Sequence, residues 1–175
     1  MTAPCARRGR APRRLVTLRV LAAPRAEREV ALRIPAWSAV TGVTVNSSSE
    51  RMVPPRQGYL RLRRRWQRGD TIRLRLDLAP RWTRPDRRVD AVRGCAAIER
   101  GPLVYCFEQA DQSVPLDELA VSPGSPLTQR PLVIEGIGRT VQVTAAARDV
   151  SAVAIPYFQW DNRGPGAMRV WVPGA

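Results

Sequence analysis

The sequence predicts an all-β protein, built as two small consecutive antiparallel β-sandwich units. Three observations carry that expectation. Apolar and polar residues alternate over short runs, proline and glycine interrupt the chain between those runs, and no stretch sustains a helical period. A chain of 175 residues, 44% of them apolar, has room for one domain or two small ones with real cores.

Taken in order, residues 1–14 hold six arginines or glycines and no apolar run, so they read as a basic, disordered tail, or as sequence foreign to the fold, rather than a secretory leader. Val30, Leu32 and Ile34 then alternate with Ala31 and Arg33 up to Pro35, the pattern of a strand with one face in a core. Leu60 and Leu62 alternate with Arg61 and Arg63, and Ile72, Leu74, Leu76 and Leu78 alternate with Thr71, Arg73, Arg75 and Asp77. Gln67-Arg68-Gly69-Asp70 between them carries turn chemistry. Residues 59–66 and 71–78 are therefore expected to form a hairpin, with Asp77 or Glu50 relieving some of its crowded arginines.

Leu78-Ala79-Pro80 is a break. It sets the expected organisation: the tail at 1–14, a first sandwich at 15–79 and a second sandwich at 80–175. Beyond the break, 92–98 and 103–107 read as strands flanking Arg100-Gly101-Pro102, and the four-proline segment 113–131 as an irregular loop. Residues 132–134, 140–144, 153–155 and 168–172 supply further short strands, and 116–120 at most one helical turn.

The net charge of +14 raises nucleic acid or an anionic membrane as partners. The composition argues otherwise. Every one of the 29 basic residues is arginine, as a GC-rich coding sequence produces without selection for phosphate contacts, and the strand pattern puts many of them on solvent faces. They are also uneven: residues 1–100 carry 24 arginines against eight acids, and 101–175 carry five against seven. No apolar run approaches the roughly 20 residues that span a bilayer. Three irregularly spaced cysteines make neither a disulfide framework nor a metal knuckle, which points to a reducing, cytoplasmic compartment.

With no histidine in the chain, a Ser-His-Asp or Cys-His centre and an imidazole metal site are excluded. Cys95 and Cys106 sit among small and apolar neighbours and read as packed structural thiols; Cys5 lies in the basic tail. Glu99 and Glu108 are the carboxylate pair a glycosidase would need, but nothing around them in sequence would shift a pKa. The expectation is that Glu99 and Arg100 meet neighbouring strands or each other's surroundings at the turn, and that Glu108 begins a solvated loop. Trp37, Trp66, Trp82, Trp160 and Trp171, with Tyr157 and Phe158, could stack on sugar rings, although core packing or a domain interface is the commoner fate of such side chains. No catalytic, cofactor-binding or metal position is assigned.

Several segments together resemble one enzyme family. They are Leu32-Arg33-Ile34-Pro35-Ala36-Trp37, Gly58-Tyr59-Leu60 through Trp66 with Gly69-Asp70, and Val89-Asp90-Ala91-Val92-Arg93-Gly94 leading into Glu99-Arg100-Gly101-Pro102-Leu103-Val104-Tyr105-Cys106. Ile155-Pro156-Tyr157-Phe158-Gln159-Trp160-Asp161-Asn162-Arg163-Gly164-Pro165-Gly166 completes the series. In that order they resemble the β-sandwich region following the catalytic (α/α)6 barrel in β-L-arabinofuranosidase-like glycoside hydrolases, family 127. The resemblance implies a non-catalytic piece supporting a barrel that releases β-L-arabinofuranose, with the cysteine nucleophile and its zinc on the barrel and no cofactor here. It implies the barrel as partner, with a second copy of the chain and carbohydrate as further candidates, and neither specific nucleic acid nor membrane. It further implies that opening strands precede Val16, so that the sandwich at 15–79 is partial and incomplete, and the isolated chain exposes strand edges and self-associates. A free-standing carbohydrate-binding module and an arginine-driven nucleic-acid binder are the alternatives.

Overall fold

A computed structural model describes residues 14–38, 41–49, 51–52, 58–148 and 150–175. The expected tail up to residue 13, Cys5 and Glu50 lie outside them. All regular structure among the described residues is β-strand apart from three short 3-10 turns, so no helix there is long and apolar enough to cross a membrane. The chain divides between Ala79 and Pro80 into two compact units.

The first unit contains β1 (Arg14–Arg19), β2 (Arg28–Arg33), β3 (Thr41–Val45), β4 (Arg51–Met52), β5 (Tyr59–Arg64) and β6 (Thr71–Leu76). One antiparallel sheet runs β1-β6-β3-β4, and β2 and β5 pair separately. The sheets share a core of Leu32, Ile34, Val43, Leu60, Trp66, Ile72, Leu74 and Leu76. Alternation identified the buried face of β6 correctly: Ile72, Leu74 and Leu76 are 2, 4 and 8% exposed, and Arg73 is exposed.

The expected hairpin does not form. β5 pairs with β2, and β6 lies in the other sheet between β1 and β3, so residues 65–70 cross from sheet to sheet. Charge and packing both favour this arrangement. As neighbours, β5 and β6 would set Arg61 and Arg63 beside Arg73 and Arg75. Instead Arg73 lies across from Thr17 and Thr44, and Arg75 across from Leu15 and Gly42. Beside β2, Arg61 reaches Glu29 at 2.5 Å and Arg63 reaches Glu27 at 3.4 Å. The crossing also lets the Leu60 side of β5 meet the Ile72, Leu74 and Leu76 side of β6 through the core.

The crossover is held at both ends. Trp66 enters the core and its indole Nε1 donates to the Arg28 carbonyl at 3.0 Å. Asp70 accepts from the Gln67 amide and from Asn46 Nδ2, both at 2.9 Å. Gly69, at φ +95°, donates its amide to the Val20 carbonyl at 2.8 Å, a backbone setting that only glycine adopts cheaply. The Gln67 amide, then the Asn46 side chain, hold the Asp70 carboxyl below its ordinary value against the opposing effect of burial; the Arg64 charge adds to the lowering.

The second unit contains β7 (Pro80–Thr83), β8 (Cys95–Arg100), β9 (Leu103–Glu108), β10 (Thr128–Ile134), β11 (Gly138–Ala147), β12 (Val150–Pro156), β13 (Met168–Arg169) and β14 (Val172–Pro173). They make one antiparallel sheet, β10-β11-β12-β9-β8-β14, with β7 added to β8 and β13 to β9, which curls around its core. β8 and β9 pair only beside their turn, at Glu99–Val104 and Arg100–Leu103. Farther from the turn the hairpin opens like a fork. Phe107 of β9 then pairs with Arg169 of β13, and Ala96 of β8 with Val172 of β14.

Ile98, Tyr105, Phe107, Val121, Val143 and Val172 are all 0% exposed in this core. Residues 116–118 form a turn closed by the Glu118 amide on the Pro115 carbonyl, not a helical one, and it delivers Leu116 and Leu119 to the core. The expected strand at 168–172 is two two-residue strands, because the chain changes partner from β9 to β8 within it.

Candidate functional site

β12 ends at Pro156, whose fixed backbone leads into a 3-10 turn at Tyr157–Gln159. The turn inverts the usual sorting. Gln159 points inward and is 1% exposed, while Tyr157, Phe158 and Trp160 are 46, 63 and 39% exposed. The Tyr157 and Trp160 rings lie nearly parallel, 24° apart in plane with centroids at 6.3 Å. Asp161 then adopts φ +65°, reversing the chain into 162–166.

An ion-pair cluster fixes that reversal. Glu108, at the end of β9, accepts from the Asp161 amide at 2.9 Å through Oε1 and from Arg163 Nη2 through Oε2. Asp111 accepts from the same guanidinium, from Nη1 at 2.7 Å and Nη2 at 2.5 Å, and the Gln109 amide donates to the Ala167 carbonyl at 2.9 Å. Asp111 raises the Arg163 pKa, with Glu108 acting in the same direction, so the guanidinium stays charged although partly buried. A cleft of about 290 Å³ opens here, lined by Glu108, Gln109, Trp160, Arg163 and the backbone of 164–167. This overturns the solvated-loop expectation for Glu108, which is only 6% exposed. The sequence could not show it, because the residues that bind Glu108 come 53 and 55 positions later.

The other singled-out residues scatter. Glu99 pairs with Arg81 across the β7–β8 register, as expected of a carboxylate meeting a neighbouring strand. Cys106 is fully buried; burial above all, and then the Glu108 charge, push its thiol up to about 12, so it is held as the neutral thiol. Cys95 is half-buried and both thiols are free. Among the described residues no three of His, Cys, Asp and Glu gather to hold a metal. Trp66 and Trp82 spend their indole N–H groups on the carbonyls of Arg28 and Ser125, and Trp37 packs on the first core. Trp171 is half-buried, which leaves Trp160 as the exposed tryptophan.

This architecture defines a class: tandem antiparallel β-sandwich domains, each with its own core. The family model described as glycoside hydrolase family 127 C-terminal domain matches residues 80–173, and that of the β-L-arabinofuranosidase, GH127 middle domain, matches residues 11–78. The chain belongs to glycoside hydrolase family 127, as its middle and C-terminal domains. The non-reducing end β-L-arabinofuranosidase of Bifidobacterium longum subsp. longum is 28% identical over 80% of this chain and 25% of that protein. The crystal structure of a GH127 β-L-arabinofuranosidase from Geobacillus stearothermophilus T6 has TM-score 0.76 and 30% identity over 92% of this chain and 28% of that one. A structure described as a glycoside hydrolase has TM-score 0.80 and 26% identity, over 92% of this chain and 30% of that one. The chain thus spans between a quarter and a third of the relatives it matches.

Proposed function

We propose that this chain is the non-catalytic β-sandwich portion of a β-L-arabinofuranosidase-like enzyme, packing against and stabilising a catalytic barrel that degrades arabinosides in the cytoplasm. The observation that carries this reading is how the reactive groups are used. Glu99 and Glu108 are committed to Arg81 and Arg163, and the Cys106 thiol is buried in its protonated form. A nucleophile must be reachable and ionisable, and a general acid must face its substrate. The colinear match to middle and C-terminal family regions supports the same reading.

Its test is an assay of the purified chain on an aryl β-L-arabinofuranoside. The expected result is no arabinose above the enzyme-free rate; sustained release, lost in a Glu108→Gln variant, overturns the reading.

A further inference from the structure

We propose that the cleft beside Trp160 is a binding site for a neutral saccharide, with the Trp160 ring as its stacking surface and the Arg163 cluster as its polar wall. The starting point is an energetic oddity. Burying an aromatic side chain removes some 150–250 Å² from water, yet this turn directs three of them outward and a glutamine inward. A group of exposed aromatics marks an interaction surface, for a protein partner or for a ligand; the concavity and polar wall beside Trp160 favour the ligand.

The turn is held in shape before any ligand arrives. Asp161, Arg163 and Ala167 are all tied back to residues 108–111, so Trp160 and the backbone of 164–167 frame the cleft at no further ordering cost. At about 290 Å³ the cleft lies near the lower end of ligand sites, about 300–1,000 Å³, which suits one or two sugar units.

Charge selects the ligand class. The cluster contains two carboxylates, Glu108 and Asp111, and one guanidinium, Arg163, so an anion would meet net negative charge even on this arginine-rich chain. Phosphates, nucleic acids and acidic sugars are thereby disfavoured. A neutral polyol suits the wall well: each carboxylate oxygen keeps lone pairs free to accept from hydroxyls, and the guanidinium has five N–H donors, of which three contacts go to the two acids. The apolar face of the sugar ring would cover Trp160 while its hydroxyl edges meet the cluster. This is the pairing of one apolar face with convergent polar groups that fixes orientation in small-ligand sites.

The experiment uses the full chain with L-arabinose, arabino-oligosaccharides and xylo-oligosaccharides as neutral probes, and inorganic phosphate and oligogalacturonate as anionic ones. Binding is followed by tryptophan emission and by retardation in arabinan-containing native gels. Saturable binding of at least one neutral probe is expected, weakened about tenfold in Trp160→Ala, the value of ~1.4 kcal/mol of lost stacking. A lesser loss is expected in Tyr157→Ala and none in Trp82→Phe. Both aromatic truncations act on exposed rings, so circular dichroism should match the parent. No binding of any neutral probe, equal binding of the anionic ones, or a response undiminished by Trp160→Ala overturns the proposal. The site stands apart from the accessory reading: arabinose release by the chain sinks that reading alone, and absent saccharide binding sinks the site alone.

Discussion

The two units solve the same problem with different closure. The second wraps one eight-stranded sheet around side chains that reach zero exposure, and its 11 arginines nearly balance ten acids over residues 80–175. The first stacks two separate sheets, its core residues Leu32 and Leu76 keep 9 and 8% exposure, and residues 1–79 carry 18 arginines against five acids. Its edge strand β1 leaves Leu15 58% and Leu18 37% exposed, with Leu21 just beyond at 77%. A curled sheet covers most of its own edges, while a stacked pair has to shield them by charge or by a neighbour. Among the described residues, most strand arginines of the first unit lie on its solvent face, Arg28, Arg33, Arg61, Arg63 and Arg73 among them.

The largest expected effect attacks the closed unit. Phe107→Ala should cost about 3–5 kcal/mol, because the ring is wholly buried and the curled sheet cannot collapse into the cavity. Denaturant titration followed by tryptophan emission in a variant retaining only Trp82 and Trp171 would measure it. In the open unit Leu74→Ala should cost about 2–4 kcal/mol, toward the lower end since the sheets can approach each other, read from a variant retaining only Trp37 and Trp66. Equal losses at the two sites would erase the distinction drawn here.

Breaking the ion-pair cluster around Arg163 is the next test. Arg163→Met leaves Glu108 and Asp111 facing each other with their shared counterion removed, and should destabilise the second unit by about 2–3 kcal/mol. Adding Glu108→Gln should recover part of that loss in a double-mutant cycle; no recovery would mean that Arg163 acts only through packing.

Two smaller effects depend on pH. The Asp70 carboxyl is more acidic folded than unfolded, so its stabilisation is full above the unfolded value near 3.8 and is lost as pH falls through the lower folded value. Thermal melts of the first unit should show that acid limb and lose it in Asp70→Asn. Cys106 behaves oppositely. Its folded pKa is raised, so its contribution is complete below the unfolded value of 9.0 and fades as pH climbs toward about 12. Thiol labelling at pH 8 should modify Cys95 and spare Cys106 until denaturant is added; rapid native labelling of Cys106 would show that the closed core breathes.

Much of this was legible in the residue order, and the gaps have physical causes. Alternation gave the buried faces of β2 and β6, since a period of two fixes which side points inward. It says nothing of neighbours, and that is why β5 and β6 read as a hairpin: a connector of six residues serves a turn within a sheet or a crossing between sheets. β1 hid within an arginine-rich stretch whose apolar residues Leu15, Val16 and Leu18 occupy both faces. β7, half-buried throughout at Pro80–Thr83, has no alternation to detect. The Asp-Asn-Arg-Gly-Pro-Gly run after Trp160 has the composition of a turn, but its anchors are not legible, because local patterns carry no trace of a bond from Arg163 to Glu108.

The fork between β8 and β9 bears on how the unit is born. Val172 pairs with Ala96, 76 positions earlier. At ribosomal speeds of about 5–20 residues per second, β8 waits roughly 4–15 s for the strand that completes it. During that interval the opened hairpin offers its bare backbone edges and the apolar lining around Phe107 to the cell. The last strands therefore act as a timed latch, and chaperone demand during translation should fall sharply once residue 173 has emerged.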